Sequence, residues 1–237
     1  MSFEKVPSRR RIRSMAEQIY ADLRTRIVRG AIPPDTRLVE LHIAAEMGTS
    51  QGPVREALHM LERDGLVEQR AGRAMYVTRV SLDELYDLFK VRSAIESVAA
   101  RRTAARITPE QGELLAGLVN EMCAAGTAND METLVRADME FHRLICAWSG
   151  SVTLLGAWLP LYAQTQRFIL QTHQHYFTDL VSLAETHVPV LEALRSRDPQ
   201  AAAQQIEEHI MLIWSRIDLN DARLRAHWEA PDETADT

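Results

Sequence analysis

The sequence predicts a mainly α-helical protein: a small unit of three helices closed by a β-hairpin, then an all-α bundle. Three observations carry this expectation. Apolar residues recur at helical spacing along most of the 237 residues. Residues 66–77 instead place β-branched and aromatic residues around Ala71-Gly72-Arg73, as a hairpin does. The charge also changes sign along the chain. Residues 1–80 carry 14 Lys and Arg against 10 Asp and Glu, whereas residues 81–237 carry 13 against 23. A basic front and an acidic back imply different partners for the two parts. The boundaries expected are 1–80 for the front unit, 81–225 for the bundle and 226–237 for a polar tail.

Composition excludes several classes. With 46% hydrophobic and 25% charged residues, the chain has the balance of a folded, soluble protein. The two cysteines, Cys123 and Cys146, exclude a disulfide framework and a Cys-rich zinc module. The longest nearly apolar run, 154–163, contains Pro160 and is half the roughly twenty residues that a bilayer span needs. No apolar segment follows the basic residues Lys5, Arg9, Arg10, Arg11 and Arg13. No membrane partner and no secretory signal are therefore expected, and the expected location is the cytoplasm.

The elements follow in order. Met15, Ile19, Leu23 and Ile27 form one apolar stripe, and Gly30 with Pro33-Pro34-Asp35 ends that helix. Residues 38–47 read as a short second helix closed by Gly48. Thr49-Ser50 offers an N-cap for a third helix, with Pro53 in its first turn. Val54, Leu58 and Leu61 line its inner face, and Gly65 ends it. Beyond Ser81 the pattern is helical throughout. The expected helices are 82–106, 109–125, 130–148, 151–175, 178–197 and 199–225. Trp148, Trp158 and Trp214 are expected in the core.

Two short helices, a sharp turn, a third helix and a hairpin are the layout of a winged helix-turn-helix. The third helix presents Ser50, Gln51, Arg55 and His59 near its start or on its outer face, where a major groove could be read. For His59 alone, a solvated helix face is the plainer reading. Arg37 is placed to hold a phosphate, and Arg70 and Arg73 flank Gly72 at the hairpin turn, where backbone can approach a duplex. The alternative is a winged helix that makes protein contacts only.

The acidic half holds a second constellation. Asp138 and His142 are four apart, so a helix puts them on one face. His187 and His209 lie on later helices, and one carboxylate with three imidazoles can converge in a bundle core. Such a set suits a divalent ion: zinc first, with nickel, manganese or iron as alternatives. Histidines on helices are more often capping, surface or core residues, and that reading stays open from spacing alone. His173 and His175, two apart, read as loop or surface residues.

Residues 15–80 resemble the DNA-binding domain of GntR transcription regulators. The resemblance lies in Ile32-Pro33-Pro34-Asp35-Thr36-Arg37-Leu38, in Pro53-Val54-Arg55-Glu56-Ala57-Leu58 and in Leu61-Glu62-Arg63-Asp64-Gly65-Leu66-Val67. It implies DNA contacts from Arg37, Arg55 and the wing residue Gly72. Two positions depart from the family pattern: Gln51, where an arginine is usual, and Asp35, where a glycine is usual. The first departure is expected to change operator preference or weaken binding.

Residues 82–225 resemble the FCD domain of the FadR subfamily. The matching features are Val91-Arg92-Ser93-Ala94-Ile95-Glu96, Asp138 with His142, Ser149-Gly150, Glu185 and Val188 around His187, and His209. The resemblance implies a metal held by Asp138, His142, His187 and His209. Arg92 is the first candidate to grip a small carboxylate effector through its guanidinium fork, and Arg167 the second. Arg92 can instead pair with Glu96 and brace its helix.

The expected function is a ligand-responsive transcription regulator, a repressor first. It would act as a homodimer on a short palindrome of double-stranded operator DNA and sense a small organic or sugar acid. One alternative keeps the regulator but makes the metal purely structural. Another is a metal-dependent hydrolase, which lacks a convincing general base: Glu140 points off the Asp138–His142 face.

Overall fold

The computed structural model describes residues 14–177, 179–217, 224 and 228. The basic N-terminal residues, the end of the 199–225 helix and the 226–237 tail lie outside the described residues, except for Leu224 and Trp228.

The front unit begins with α1 (Met15–Val28), held at its start by a capping box in which Ser14 and Glu17 satisfy each other's backbone N–H groups. Ile19, Leu23 and Ile27 are buried as expected, but Met15 in the first turn is 40% exposed. The second helix is shorter than expected. Arg37–Leu38 form strand β1, and α2 spans Glu40–Glu46, because Leu38 pairs with Met75 of the hairpin instead of turning into the helix. The third helix, α3, runs Gln51–Arg63 and buries Val54, Ala57, Leu58 and Leu61. Ser50 occupies its N-cap position, yet its hydroxyl makes no capping hydrogen bond. Strands β2 (Val67–Gln69) and β3 (Met75–Val77) close the unit as a three-stranded antiparallel sheet of order β1-β3-β2. Gly72 at the wing tip has φ 80°, a conformation that glycine adopts without a Cβ penalty.

The back unit is a bundle of α4 (Leu82–Ala104), α5 (Pro109–Thr127), α6 (Met131–Trp148), α7 (Val152–Trp158), α8 (Tyr162–Tyr176), α9 (Leu180–Glu185), α10 (Val188–Arg195) and α11 (Pro199–Met211). Small residues Ala99, Ala100, Ala202 and Ala203 are buried where α4 and α11 run together. Capping boxes start α4 (Ser81 with Glu84) and α5 (Thr108 with Gln111). Trp158 is fully buried, while Trp148 and Trp214 only partly so.

Three expected helices are interrupted. Residues 151–175 break into α7, a 3-10 turn at Leu159–Leu161 and α8, because Pro160 cannot donate to the preceding turn. Residues 178–197 break at Thr186–His187. Pro189 in the first turn of α10 removes the N–H that a continuous helix needs there. The last helix gives way after Met211 to a 3-10 turn, Leu212–Ser215. Gly126, just past the expected end of the 109–125 helix, lies inside α5. A Cβ there would sit 2.9 Å from the backbone of Leu180, so its role is to let α9 pack close. Gly126→Ala is therefore expected to destabilise the protein by about 1–3 kcal/mol, since the clash is with backbone. A urea midpoint equal to wild type would contradict this.

The two units are joined through α8 rather than by a bare linker. Gln164 donates to the carbonyl of Gly65, at the end of α3. Arg167 Nη1 donates to the Thr78 carbonyl (2.8 Å) and Gln171 to that of Val28 (3.0 Å). Arg24 of α1 donates to Gln166 (2.6 Å), and Ala163 is buried in the core of the front unit. Side chains of one bundle helix thus satisfy carbonyls at the ends of α1 and α3 and beyond β3.

Candidate metal centre, adjoining cavity and nucleic-acid face

Asp138 and His142 project inward from one face of α6, His187 from the bend between α9 and α10, and His209 from the end of α11. One ligand atom from each lies within 4.8 Å of all the others. The four expected residues therefore converge. His187 Nε2 is 3.0 Å and His142 Nε2 3.9 Å from Asp138 Oδ1, and the Nε2 atoms of His142 and His209 are 3.2 Å apart. Ligands about 2.1 Å from a common ion stand roughly 3–4 Å from one another, which these separations match.

The surroundings fix how each imidazole is protonated. His187 Nδ1 faces the Ala184 carbonyl at 3.0 Å, which can only accept, so Nδ1 carries the hydrogen. His142 Nδ1 faces the carboxylate of Glu96. His209 Nδ1 lies 3.0 Å from Thr186 Oγ1, whose own proton goes to the Leu183 carbonyl at 2.6 Å. All three rings are thus set as Nδ1–H tautomers, with the Nε2 lone pairs turned inward. Three lone pairs and a carboxylate meet in a buried space with no proton among them in the neutral state, an arrangement that a cation fits. Asp138 Oδ2 is buried and has no hydrogen-bond partner among the described residues.

The electrostatics agree. Burial alone would raise the Asp138 carboxyl, but the positive charge gathered around it, Arg92 included, holds it well below the usual carboxylate range. Burial pushes the His142 and His209 imidazoles down, which keeps them neutral and able to donate lone pairs at pH 7.

Glu96 is the residue that spacing did not assign to this centre. It is fully buried on α4, and its carboxylate takes hydrogen bonds from Arg92 Nε (2.7 Å), Trp158 Nε1 (2.7 Å) and His142 Nδ1. Against the burial penalty, His142 and Arg92 lower its carboxyl to about 2, so it is ionised. The i,i+4 spacing gave its pairing with Arg92; the contacts with α6 and α7 needed the packed bundle.

A small cavity of about 30 Å³ opens beside the cluster, lined in part by Arg92, Asp138, His173, Phe177 and His209. Of the two readings of Arg92, the brace to Glu96 is present. Its Nε braces Glu96, while Nη2 is buried without a partner among the described residues. Arg167 is a different matter. It does not line this cavity and donates instead to the Thr78 carbonyl, with its guanidinium 5.4 Å over Trp228, so it joins the two units. His173, expected in a loop or on the surface, is buried on α8, because Ile169 four residues earlier shares its inward face. Burial pushes its imidazole down to about 4. The side chain of His175 lies outside the described residues.

The outer face of α3 is open. Ser50, Gln51, Arg55 and His59 are exposed, as are Arg37 on β1 and Arg70, Gly72 and Arg73 on the wing. Arg55 is held as a two-pronged fork by Glu40, with Nε 3.0 Å and Nη2 2.7 Å from its carboxylate oxygens. His59 Nδ1 pairs with Glu62 at 3.0 Å. Arg70 is tied to Asp35 and Glu68 and lies 4.8 Å over the Tyr76 ring, so it buttresses the wing. Asp35 sits at φ 63°, the left-handed region that favours glycine, and offsets that strain by binding Arg70 and Arg79.

A winged head with an exposed, arginine-bearing third helix, set on a helical bundle with a buried polar centre, defines a transcription regulator. The profile of bacterial regulatory proteins of the gntR family matches residues 15–77, and that of the FCD domain matches residues 87–211. The chain belongs to the GntR family of bacterial transcriptional regulators and carries an FCD domain; it is not an enzyme. It is 29% identical over 197 residues to a protein of Paenarthrobacter nicotinovorans named "Probable D-xylose utilization operon transcriptional repressor", covering 83% of this chain and 86% of the relative. It is 28% identical, over the same shares, to the HTH-type transcriptional repressor RspR of Escherichia coli K12. The structure of E. coli McbR/YncC superposes with a TM-score of 0.73 at 22% identity, over 86% of this chain and 97% of that one, a likeness of fold. Among the described residues no helix is long and apolar enough to cross a membrane.

Proposed function

We propose that this regulator senses a small carboxylic acid through a divalent ion, zinc first, held by Asp138, His142, His187 and His209. The observation that carries the reading is the set of three Nδ1–H imidazoles whose Nε2 atoms meet a buried carboxylate. A divalent ion there supplies open coordination positions for a carboxylate oxygen. Arg92, which lines the same cavity and whose Nη2 has no partner among the described residues, donates to the acid's other oxygen.

The route to DNA runs along α8. His173 and Ile169 line the cavity, while Gln164, Arg167 and Gln171 hold the head. A ligand that prefers one position of α8 thereby prefers one placement of the head. The protein acts in the cytoplasm as a homodimer whose two heads read a short palindrome, with Arg37, Gln51, Arg55 and Gly72 against the duplex and Ser50, His59 and Arg73 beside them. Arg70 supports the wing.

The test is thermal melting with a panel of carboxylates and sugar acids, with and without chelator, together with operator binding under the same conditions. An acid that raises the melting point only in the metal-loaded protein, and changes operator affinity, is the expected result. A second reading makes the ion purely structural, favoured by the small cavity of about 30 Å³. Chelation would then lower stability while no acid raised it.

A further inference from the structure

A second cleft, of about 270 Å³, lies where the head meets the bundle, between α1, the start of α6 and α8. It shares no lining residue with the cavity beside the four-residue cluster. Arginines line it from both units: Arg24 of α1 and Arg29 just beyond that helix, with Arg136 of α6. Glu132 is the one acid among its lining residues. Residues 81–237 carry 13 Lys and Arg against 23 Asp and Glu, so a cleft with three positive charges against one negative runs counter to the bundle's own balance.

The three guanidiniums are placed but not used up. Each donates through Nη2: Arg24 to Gln166 (2.6 Å), Arg29 to Glu132 (2.5 Å) and Arg136 to Glu121. A guanidinium has five N–H donors, so each keeps others for a ligand. Arg24 is the fixed member. It is half-buried, lies 5.3 Å over the Tyr162 ring and has Nε 4.0 Å from Asp64. Arg29 and Arg136 are exposed, and surface ion pairs such as theirs stabilise weakly. An anion with more charge than a carboxylate can therefore draw both from Glu132 and Glu121.

The number of forks says which anion. A carboxylate has two oxygens and fills one fork. A phosphate group has three acceptor oxygens and about two negative charges at pH 7, which suits guanidiniums arriving from separate elements. Val28 and Leu170 add an apolar wall on which a short carbon body can lie. Ligand pockets run from about 300 to 1,000 Å³, so a cleft just under that range takes a small ligand.

We propose that this cleft is an anion site for a phosphate group, carried by a small phosphomonoester or free, and gripped by Arg24, Arg29 and Arg136. Because the grips come from both units, an occupied site fastens the head to the bundle and favours that placement. The site does not depend on the ion or on the acid-sensing reading.

The test is calorimetric titration of the full chain at fixed ionic strength with glycerol 3-phosphate, inorganic phosphate and glycerol, with folding of every variant checked by melting. Glycerol 3-phosphate is expected to bind at one site per chain and glycerol not at all. Arg24→Gln and Arg136→Gln are each expected to weaken binding by about tenfold to a hundredfold, the loss of one charged donor group. Arg195→Gln, which removes an arginine paired with Glu113 outside the cleft, keeps wild-type affinity. So does Arg92→Gln. Inorganic phosphate that binds as tightly as the ester supports the site and makes the free anion its ligand; weaker binding of inorganic phosphate supports the ester. Binding by neither phosphate probe overturns the proposal, as does wild-type affinity in both cleft variants. Loss of binding in a folded Arg92→Gln also overturns it, because the phosphate then sits beside the four-residue cluster. Should Arg24→Gln not fold, Arg136→Gln, whose side chain is exposed, still decides.

Discussion

Zinc at a thousandfold excess over its dissociation constant is expected to raise the melting temperature by about 8–16 °C over the chelated protein. A ligand at that excess contributes about 4 kcal/mol, and each kcal/mol shifts a chain of this size by roughly 2–4 °C. An ion held by the four residues would join α6, the α9–α10 bend and α11, which the metal-free chain holds together around like-facing lone pairs. His187→Ala removes one ligand and is expected to reduce the zinc-dependent shift to a small fraction of the wild-type value, with bound metal falling in parallel. Because the head has its own apolar core, its fold should survive. Equal metal content in wild type and His187→Ala would refute the ligand assignment.

Arg55→Ala is expected to lower specific operator affinity by roughly tenfold to a hundredfold per head, the cost of one bidentate base contact. Melting should change little, because Arg55 is exposed and its fork to Glu40 is a surface ion pair, which stabilises weakly. The remaining DNA binding should still fall steeply with salt, since phosphate contacts are left in place. A large drop in melting temperature would mean that the Arg55–Glu40 fork builds the head. Unchanged operator affinity would mean that α3 does not read the groove through Arg55.

Most of the architecture was legible because local rules and tertiary packing agree. The inner face of α3 was visible as Val54, Leu58 and Leu61, and its end as Gly65, at φ 69°. The helices of the back unit were visible from spacing, but two internal prolines were given too little weight. Pro160 and Pro189 divide what an apolar pattern shows as continuous. Gly126 misled in the opposite direction. It signals a close helix approach, which spacing cannot distinguish from a helix stop. Arg70 was expected to touch DNA beside the wing turn, and Arg167 to be the second candidate for the effector, because each is an arginine near the right element. The folded chain instead gives both to structural partners.

By itself the sequence determined the two-part layout, the outward residues of α3 and the four candidate metal ligands. Helical periodicity, glycine and proline punctuation and the i,i+4 rule all act within one element, so one element's sequence reveals them. Only the tertiary structure decided that Glu96 orients His142, that Thr186 and the Ala184 carbonyl set the tautomers of His209 and His187, that His173 is buried and that α8 clasps the head. Except for the local contact of His187 with the Ala184 carbonyl, those facts depend on groups far apart in sequence, as where Glu96 meets His142 and Thr186 meets His209. The physical reason is that a buried polar atom takes whichever partner packing brings to it, and packing is a property of the whole chain.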